Sequence, residues 1–518
     1  MGEKMLSAGK GALLLTVLGA AGQVLGFGYR VVLSRMVGAQ VMGLYQLVMP
    51  VYSVLLSLTA VGLAAGVSNL TPQYLALGNS RGAAQVLSTS LRTFFLLLLP
   101  VGAVVIAASD FLSVAFLGDA RTQLGLILLV PCLALTGVEN CHKHYFYGAG
   151  LVAAPAVVEL LEQLVRTGAV LGLLVLFLPQ YPERVVGLIV GGMVVCEVFS
   201  SLTLTLLYRR RLGRMGLSGP GEAGRTRRCR LAAIALPVGA NALLGNLMGA
   251  ANAALLPQKL VEGGMERGEA VAQLGVVCGM TLPMLALPTV FLGALNLVLI
   301  PRLARARALG REKEVRRLAF RAMSVVSLLA LPSMSLMAVL GADLGELLFH
   351  QQVGQYLLPL ALAMALSCFC SVLGAILNGV GQQRAVAAVS LLGGGLQLGL
   401  TLVLVPLPGV GMKGYVAGIL AATLLETLLC LRLAVKRAGL ELRIFQWLTA
   451  PGLSSLLAAL TTNLLFRFLK DAGLHPAAAG GAGLVFALVI YLAALHAQGV
   501  RLGELIPLRI GGAGGRRA

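Results

Sequence analysis

Apolar runs of about 20 residues follow one another along the whole sequence, and they constrain the fold more than any other feature. A helix of roughly that length crosses the ~30 Å hydrocarbon core of a bilayer. Membrane strands would instead need alternating segments of about ten residues. Only helices and closed barrels satisfy every backbone polar group in lipid. The sequence therefore predicts an all-α polytopic membrane protein.

The composition excludes several classes of protein. Hydrophobic residues make up 58% of the chain and charged residues 12%, about half the charged share of a soluble domain. A soluble protein this apolar could not cover its surface with polar groups, which excludes a soluble enzyme, a disordered chain and a disulfide scaffold. The eight cysteines lie mostly inside apolar runs, and no pair has metal-ligand spacing. We therefore predict no metal site.

The apolar runs predict fourteen transmembrane helices. Thirteen further runs follow the first, so the first is not interpreted as a cleaved signal peptide. The predicted helices lie near residues 10–30, 44–67, 87–108, 121–138, 152–178, 185–207, 231–256, 271–299, 319–341, 355–378, 385–405, 413–432, 447–467 and 477–497.

Basic residues set the orientation, since cytoplasmic loops carry an excess of Lys and Arg. A cytoplasmic N-terminus places 29 of the 40 Lys and Arg residues on the inner side, with large clusters at 209–230 and 302–321. One transmembrane span more or fewer in the middle of the chain would place neighbouring basic clusters on opposite sides of the membrane. We therefore predict a multi-pass protein of the cytoplasmic (inner) membrane with both termini in the cytoplasm. This pattern, rather than nucleic-acid binding, accounts for the net charge of +20.

The chain repeats itself at an offset of about 232 residues. The triplet Ala-Leu-Gly at 76–78 recurs at 308–310, and Pro100 recurs as Pro332. Each copy holds six spans, and an even number makes the two copies parallel. The predicted domains are an N-terminal lobe of helices 1–6 (1–208), a basic cytoplasmic linker (209–230), a C-terminal lobe of helices 7–12 (231–435) and helices 13–14 with a cytoplasmic tail (436–518).

The fifth predicted helix carries three charged residues on one face. An ionised side chain at the bilayer centre costs roughly 2.5–3.5 kcal/mol on insertion scales. Glu159, Glu162 and Arg166 follow the spacing i, i+3, i+7, and the last two can form an i, i+4 ion pair. Two interpretations stay open: a self-neutralising structural cluster, or a cavity-lining face that contacts substrate or a coupling ion. Glu197 stands isolated in the sixth helix.

Three further polar residues are candidates for substrate binding. Arg30 and Arg35 close the first helix on the outer side, against the positive-inside pattern. Both could snorkel to the interface, but Arg30 could instead face inward and clamp phosphate, which a guanidinium binds with two hydrogen bonds. Asn241 could bond to another helix or to a sugar. No catalytic motif is found, so we predict a protein that is not an enzyme and has no cofactor.

Three parts of the chain resemble known families. The stretch VLGFGYR at 24–30, followed by SRMVGA at 34–39, resembles the first-helix signature of the lipid II flippase family. GLYQ at 43–46, with Met-Pro at 49–50, resembles the stage V sporulation protein B branch of polysaccharide exporters, as does 159–166. The superfamily is that of multidrug, oligosaccharidyl-lipid and polysaccharide exporters.

The resemblance implies a fold and a function. The fold is a V-shaped, two-lobed bundle, and the function is flipping of an undecaprenyl-pyrophosphate-linked saccharide by alternating access. In the sporulation branch the saccharide is a peptidoglycan precursor of the spore cortex. The resemblance also implies that first-helix cations, here Arg30 and less directly Arg35, face the cavity and recognise pyrophosphate. Arg92 is a further cationic candidate.

Alternative functions stay open. A cation-coupled multidrug antiporter of the same superfamily would need unpaired carboxylates in its cavity, and a glycan polymerase or ligase would need a large external loop. A non-transporting scaffold of a cell-wall synthesis complex would depend on its cytoplasmic loops. The partners expected for the flippase are a lipid-linked saccharide, the bilayer, a coupling ion (Na⁺ or H⁺) and cell-wall synthesis proteins, without nucleic acid.

Overall fold

A computed structural model describes residues 8–499, with side chains from residue 17 onward apart from positions 215, 294, 297, 476 and 477. The described chain is built of helices and contains no strand. In its first part the α-helices are α1 (Ala8–Leu56), α2 (Gly62–Ala76), α3 (Ser80–Ala107), α4 (Ser109–Phe111), α5 (Gln123–Gly148), α6 (Ala153–Phe177), α7 (Val185–Met215) and α8 (Gly224–Glu262).

The second part of the described chain adds nine α-helices. They are α9 (Arg267–Leu274), α10 (Leu282–Ala286), α11 (Val290–Ala308), α12 (Glu312–Phe349), α13 (Leu357–Gly379), α14 (Gln383–Leu404), α15 (Met412–Ala438), α16 (Ala450–Asp471) and α17 (Pro476–Ala497).

Thirteen helical segments of the described residues are long and apolar enough to cross a membrane. The first, Val17–Ala76, has 60 residues, or about 90 Å of helix, roughly twice the thickness of a whole bilayer. Gly38 breaks this segment with φ 76° and ψ 176°, a conformation that glycine adopts without a steric penalty. Two crossings by this segment are consistent with the fourteen predicted spans.

Among the helices that differ from their predicted extents are the fourth and the eighth. The eighth helix, predicted as continuous over 271–299, is interrupted by a 3₁₀ turn at Leu287–Thr289, because Pro288 lacks an N–H and its ring clashes with the preceding turn. The fourth helix, predicted to end at 138, continues as α5 to Gly148. The polar residues beyond 138 therefore belong to a helix and not to a loop.

The sequence repeat has a counterpart in local structure. Gly78 and Gly310, which end the two Ala-Leu-Gly triplets, have φ values of 68° and 67° after α2 and α11. Gly150 and Gly381, at the same offset, have φ values of 74° and 84° after α5 and α13. A left-handed glycine is a common way to end a helix. The repeated sequence thus forms the same helix ends twice, while the parallel six-helix lobes stay a prediction.

By their contacts, the described helices form two units. One comprises the residues up to Met284 together with Gly394–Gly418, and the other comprises Leu285–Gly393 and the residues from Ile419 onward. This division follows packing, whereas the predicted lobes follow sequence symmetry.

Within the first unit, α1 and the helix that begins with α9 pack backbone against backbone. A Cβ added to Gly43 would lie 1.9 Å from the carbonyl oxygen of Val271, and one added to Gly275 would lie 2.0 Å from that of Ala39. Small residues allow such close approach of membrane helices. Glycine is therefore required at both positions.

The predicted linker is mostly helical, since α7 runs to Met215 and α8 begins at Gly224. Its non-helical residues 216–223 are bonded to the end of α2 and the start of α3. Asn79 Nδ2 donates to the carbonyl oxygen of Pro220 (3.0 Å), and Ser80 Oγ donates to that of Gly216 (3.0 Å). The linker residues are therefore held against the first unit.

In the second unit, α12, α16 and α17 pack around a small apolar core. Leu328, Ala458, Tyr491 and Leu495 are buried together there. The Tyr491 hydroxyl donates to the carbonyl oxygen of Leu328 (3.1 Å), so that buried polar group is satisfied.

Candidate functional site

Helices α5, α6 and α7 of the first unit bring six charged side chains together. Four are carboxylates and two are cations, and we refer to the group as the charged cluster. Its members are Glu139 and Lys143 on α5, Glu159, Glu162 and Arg166 on α6, and Glu197 on α7.

Arg166 is the cation of one half of the charged cluster. Its Nη2 forms an ion pair with Glu162, which confirms the pairing predicted from the i, i+4 spacing. The same nitrogen lies 3.8 Å from Glu197 Oε1, and Nε donates to Cys196 Sγ at 3.4 Å. The carboxylate side chains of Glu162 and Glu197 are 7% and 4% exposed. Buried charges require such pairing.

Lys143 is the cation of the other half. It forms an ion pair with Glu159 and lies 3.7 Å from Glu139 Oε1. The Lys143 side chain is 17% exposed, so this residue, which lies beyond the predicted end of the fourth helix at 138, is helical and largely buried. Glu159, which shares a helix face with Arg166, is paired across helices instead. The sequence spacing alone could not show this partner.

Glu197 is not isolated, contrary to the sequence interpretation. Its carboxylate lies 3.8 Å from the Arg166 guanidinium and interacts electrostatically with Glu139 on α5. Ser200 Oγ, one turn further along α7, donates to Glu139 Oε2 at 3.1 Å. Thr136, also on α5, accepts a hydrogen bond from the Tyr52 hydroxyl (2.8 Å). In the sequence, the only indication that these residues lie together was that Glu139 and Glu197 are carboxylates in apolar surroundings.

Arg30 lies near the charged cluster without being neutralised by it. The hydroxyl of Tyr45, which is buried, interacts electrostatically with the guanidinium groups of both Arg30 and Arg166. The Arg30 side chain is half-buried. Among residues 17–499, no ion pair or hydrogen bond engages its guanidinium. Arg30 therefore keeps its donors for another anion, whereas those of Arg166 are already engaged.

The other predicted site residues are exposed on separate helices. Arg35 lies on α1, Arg92 on α3 and Asn241 on α8. In the described part of the chain, no hydrogen bond or ion pair joins Arg92 or Asn241 to the charged cluster. A neighbouring asparagine, Asn246, donates to the carbonyl oxygen of Ser53 (3.2 Å), which is the interhelical bonding expected of such residues.

Three buried side chains have donor atoms close enough to hold a metal ion. The donor atoms of Glu162, Cys196 and Glu197 lie within 4.8 Å of one another. All three are within 4 Å of the Arg166 guanidinium. The positive charge that this triad faces is therefore that of the Arg166 guanidinium.

Comparison with proteins of known structure identifies the fold. A structure of the lipid II flippase MurJ in an inward closed conformation superposes with a TM-score of 0.71, at 12% identity, over 94% of this chain and all of that one. An inward-facing multidrug resistance transporter of the MATE family gives a TM-score of 0.60, at 14% identity, over 83% of this chain and 99% of that one. The chain thus has the fold that these membrane transporters share.

Relatives in sequence come from Bacillus subtilis (strain 168). Stage V sporulation protein B is 25% identical over 424 residues, which cover 81% of this chain and 82% of that protein. Sporulation protein YkvU is 23% identical over 355 residues, covering 68% of this chain and 77% of that protein. The profile of one family matches residues 8–307, more than half of the chain. This multi-pass membrane protein belongs to the polysaccharide biosynthesis protein family.

Proposed function

We propose that the protein is a flippase of the cytoplasmic membrane that moves an undecaprenyl-pyrophosphate-linked saccharide from the inner to the outer leaflet. The family match and the fold shared with a lipid II flippase support this proposal. The observation that carries it is Arg30, a half-buried cation in a membrane helix that has no anion to neutralise it among the described residues. A membrane protein keeps such a charge at a cost of a few kcal/mol, and a phosphorylated substrate explains it.

The barrier that such a protein lowers is desolvation of the head group. The phosphate and the sugar hydroxyls lose their hydration in the hydrocarbon core, whereas the polyprenyl tail is apolar and is solvated by the lipid chains. A guanidinium can replace phosphate hydration with two charge-assisted hydrogen bonds. Arg30 would bind the pyrophosphate while the tail stays in the bilayer. Alternating access of the two predicted lobes would then carry the head group across.

The remaining predicted site residues have secondary parts in this proposal. Arg166 and Glu162 neutralise each other and would shape the polar surface next to Arg30. Glu159, whose side chain is 45% exposed, can accept hydrogen bonds from sugar hydroxyls. The exposed residues Arg35, Arg92 and Asn241 would contact the head group at other stages of its passage.

The saccharide we propose is a peptidoglycan precursor for the spore cortex. Both curated relatives carry sporulation in their names. A disaccharide-peptide head group offers hydroxyl, amide and carboxylate groups, which suits a site with both cations and carboxylates. Cell-wall synthesis proteins would take up the precursor on the outer side.

Leaflet exchange in proteoliposomes tests the function. Purified full-length protein is reconstituted with a fluorescent undecaprenyl-pyrophosphate saccharide, and the fraction accessible to an external quencher is followed over time. We expect protein-containing vesicles to exchange at least tenfold faster than protein-free vesicles, with the rate proportional to protein content. Equal rates in the two vesicle types, with a membrane potential and Na⁺ or H⁺ gradients imposed, would contradict the proposal.

One observation favours a second candidate, a cation-coupled multidrug antiporter. The charged cluster has four carboxylates against two cations, and surplus negative charge attracts cationic drugs. Loading the same vesicles with a cationic dye separates the candidates. Dye efflux without lipid exchange would indicate the antiporter, whereas lipid exchange without dye efflux would indicate the flippase.

A further inference from the structure

We propose that Gln163 binds the sugar that is joined to the pyrophosphate, in a subsite that lies beside Arg30 where α1 has no side chain at Gly26. The proposal rests on the proposed flippase function and deepens it. It gives the site a residue that recognises the saccharide, whereas Arg30 recognises the phosphate.

A glycine of α1 and an amide of α6 face each other at this place. A Cβ added to Gly26 would lie 3.7 Å from Gln163 Oε1, and it would meet no other atom of the described residues within 4 Å. Both Gly26 and Gln163 are half-buried. The Gln163 amide therefore borders a space that exists because position 26 has no side chain.

The Gln163 side chain has hydrogen-bonding capacity that the protein does not use. A carboxamide offers two N–H donors and one carbonyl acceptor. Within residues 17–499, none of these groups forms a hydrogen bond, although Gln163 lies on the membrane helix α6. Its backbone carbonyl, by contrast, accepts from Thr167 Oγ1 (2.7 Å). An amide in apolar surroundings is stabilised by a hydrogen-bonding partner, which a bound ligand would supply.

Two further polar groups lie on the same face of α1. Tyr29 and Arg30 follow Gly26 at i+3 and i+4, the spacing of residues that share a helix face. The Tyr29 side chain is 7% exposed, and its hydroxyl has no hydrogen-bond partner in the described chain. Buried polar groups normally have such a partner. One face of α1 thus carries an open position, an unpartnered hydroxyl and the unpaired Arg30 guanidinium.

The register between α1 and α6 agrees with this arrangement. Arg166 lies three residues beyond Gln163 on α6, and Tyr29 lies three residues beyond Gly26 on α1. The Tyr29 hydroxyl interacts electrostatically with the guanidinium groups of Arg166 and Arg30. The two helices therefore present the open position, the amide and both arginines to one polar region.

A sugar joined to pyrophosphate matches these groups in spacing and in chemistry. Arg30 lies four residues from Gly26, about 6 Å along the helix axis. The first sugar is bonded directly to the pyrophosphate, so that a phosphate on Arg30 brings this sugar within reach of Gln163. Its hydroxyl and acetamido groups donate and accept hydrogen bonds, as a carboxamide does. Arg166 is already paired with Glu162, which leaves the phosphate to Arg30.

Binding of two lipids to the purified full-length protein in detergent tests the subsite. One lipid is undecaprenyl pyrophosphate, and the other is the same lipid with N-acetylglucosamine on the pyrophosphate. We expect the wild type to bind the lipid with the sugar more tightly. Gln163→Leu should weaken binding of that lipid about three- to tenfold, the usual effect of losing one hydrogen bond. Its affinity for the lipid without sugar should equal that of the wild type.

Matched variants make this result specific. Gly26→Leu fills the space next to the amide, and we expect it to weaken binding of the lipid with the sugar as Gln163→Leu does. Gly22→Leu makes the same change one turn earlier on α1, where an added Cβ meets nothing within 4 Å. Gln180→Leu replaces an exposed glutamine that follows α6. The last two variants should bind both lipids like the wild type.

Three binding results would overturn the subsite. They are equal affinities of the wild type for the two lipids, an equal loss for both lipids in Gln163→Leu, and a Gln163→Leu variant that binds the lipid with the sugar like the wild type. Gln163→Leu and Gly26→Leu alter opposite sides of the subsite, so that the test still stands if one of them does not fold.

Exchange in proteoliposomes separates a failure of the subsite from a failure of the proposed function. A wild-type protein that exchanges neither lipid would contradict the flippase function, while a loss of affinity confined to the lipid with the sugar would still support the subsite. A wild-type protein that exchanges the lipid with the sugar, together with a Gln163→Leu variant of equal rate and equal affinity, would contradict the subsite alone.

Discussion

Replacement of Arg30 by alanine is expected to lower the rate of lipid-linked saccharide exchange by about ten- to hundredfold. A hydrogen bond to a charged group contributes about 1.5–3 kcal/mol, and each 1.4 kcal/mol changes a rate or affinity tenfold. Arg30 is suited to this role because its guanidinium is half-buried beside Tyr45 and unpaired among the described residues. The measurement is the initial rate of quencher-accessible fluorescence in matched proteoliposomes.

Two matched variants make the Arg30 result specific. Arg30→Lys keeps the charge but loses the planar, two-pronged geometry, so we expect an intermediate rate. Arg184→Ala removes an arginine whose side chain is 61% exposed in a short loop, and we expect the wild-type rate. Wild-type exchange by a correctly folded Arg30→Ala variant would place the pyrophosphate elsewhere.

Replacement of Arg166 by glutamine is expected to destabilise the protein by about 3–5 kcal/mol, the usual cost of breaking a buried ion pair by removing one partner. The substitution leaves Glu162 and Glu197 without their cation, and both are almost completely buried. We therefore expect the midpoint temperature of thermal unfolding in detergent to be lower than that of the wild type. The measurement is that midpoint, read from the loss of monodisperse protein after heating.

A double variant shows whether charge is the cause. Arg166→Gln with Glu162→Gln replaces the pair by two neutral amides that can bond to each other, so we expect it to recover much of the lost stability. An Arg166→Gln midpoint equal to that of the wild type would contradict a structural role for this pair. A double variant less stable than Arg166→Gln alone would contradict the same role.

Features that depend on neighbouring residues were predictable from the sequence. The apolar runs predict the helices, and the i, i+4 spacing of Glu162 and Arg166 predicts their ion pair. The repeated Ala-Leu-Gly triplets predict similar helix ends, which Gly78 and Gly310 form with nearly equal φ values. The physical reason is that helix formation and helix termination are set by residues within one or two turns of each other.

Features that depend on contact between helices were not predictable in the same way. Glu197 looks isolated because its neighbours Glu139 and Arg166 lie on other helices, and periodicity gives no register between helices. Lys143 looks like a loop residue because its charge suggests water, whereas its partners Glu139 and Glu159 keep it inside a helical bundle. Pro288 lies inside the predicted eighth helix, and the 3₁₀ turn at Leu287–Thr289 interrupts that helix there.

The most direct test of the proposed function compares two head groups in the same vesicles. One lipid carries the saccharide on pyrophosphate, and the other carries the same saccharide and tail joined by a neutral linker. Recognition through Arg30 predicts that the protein accelerates exchange of the pyrophosphate lipid at least tenfold more than that of the neutral lipid, and that Arg30→Ala removes this difference. Equal acceleration of both lipids by the wild-type protein would contradict it.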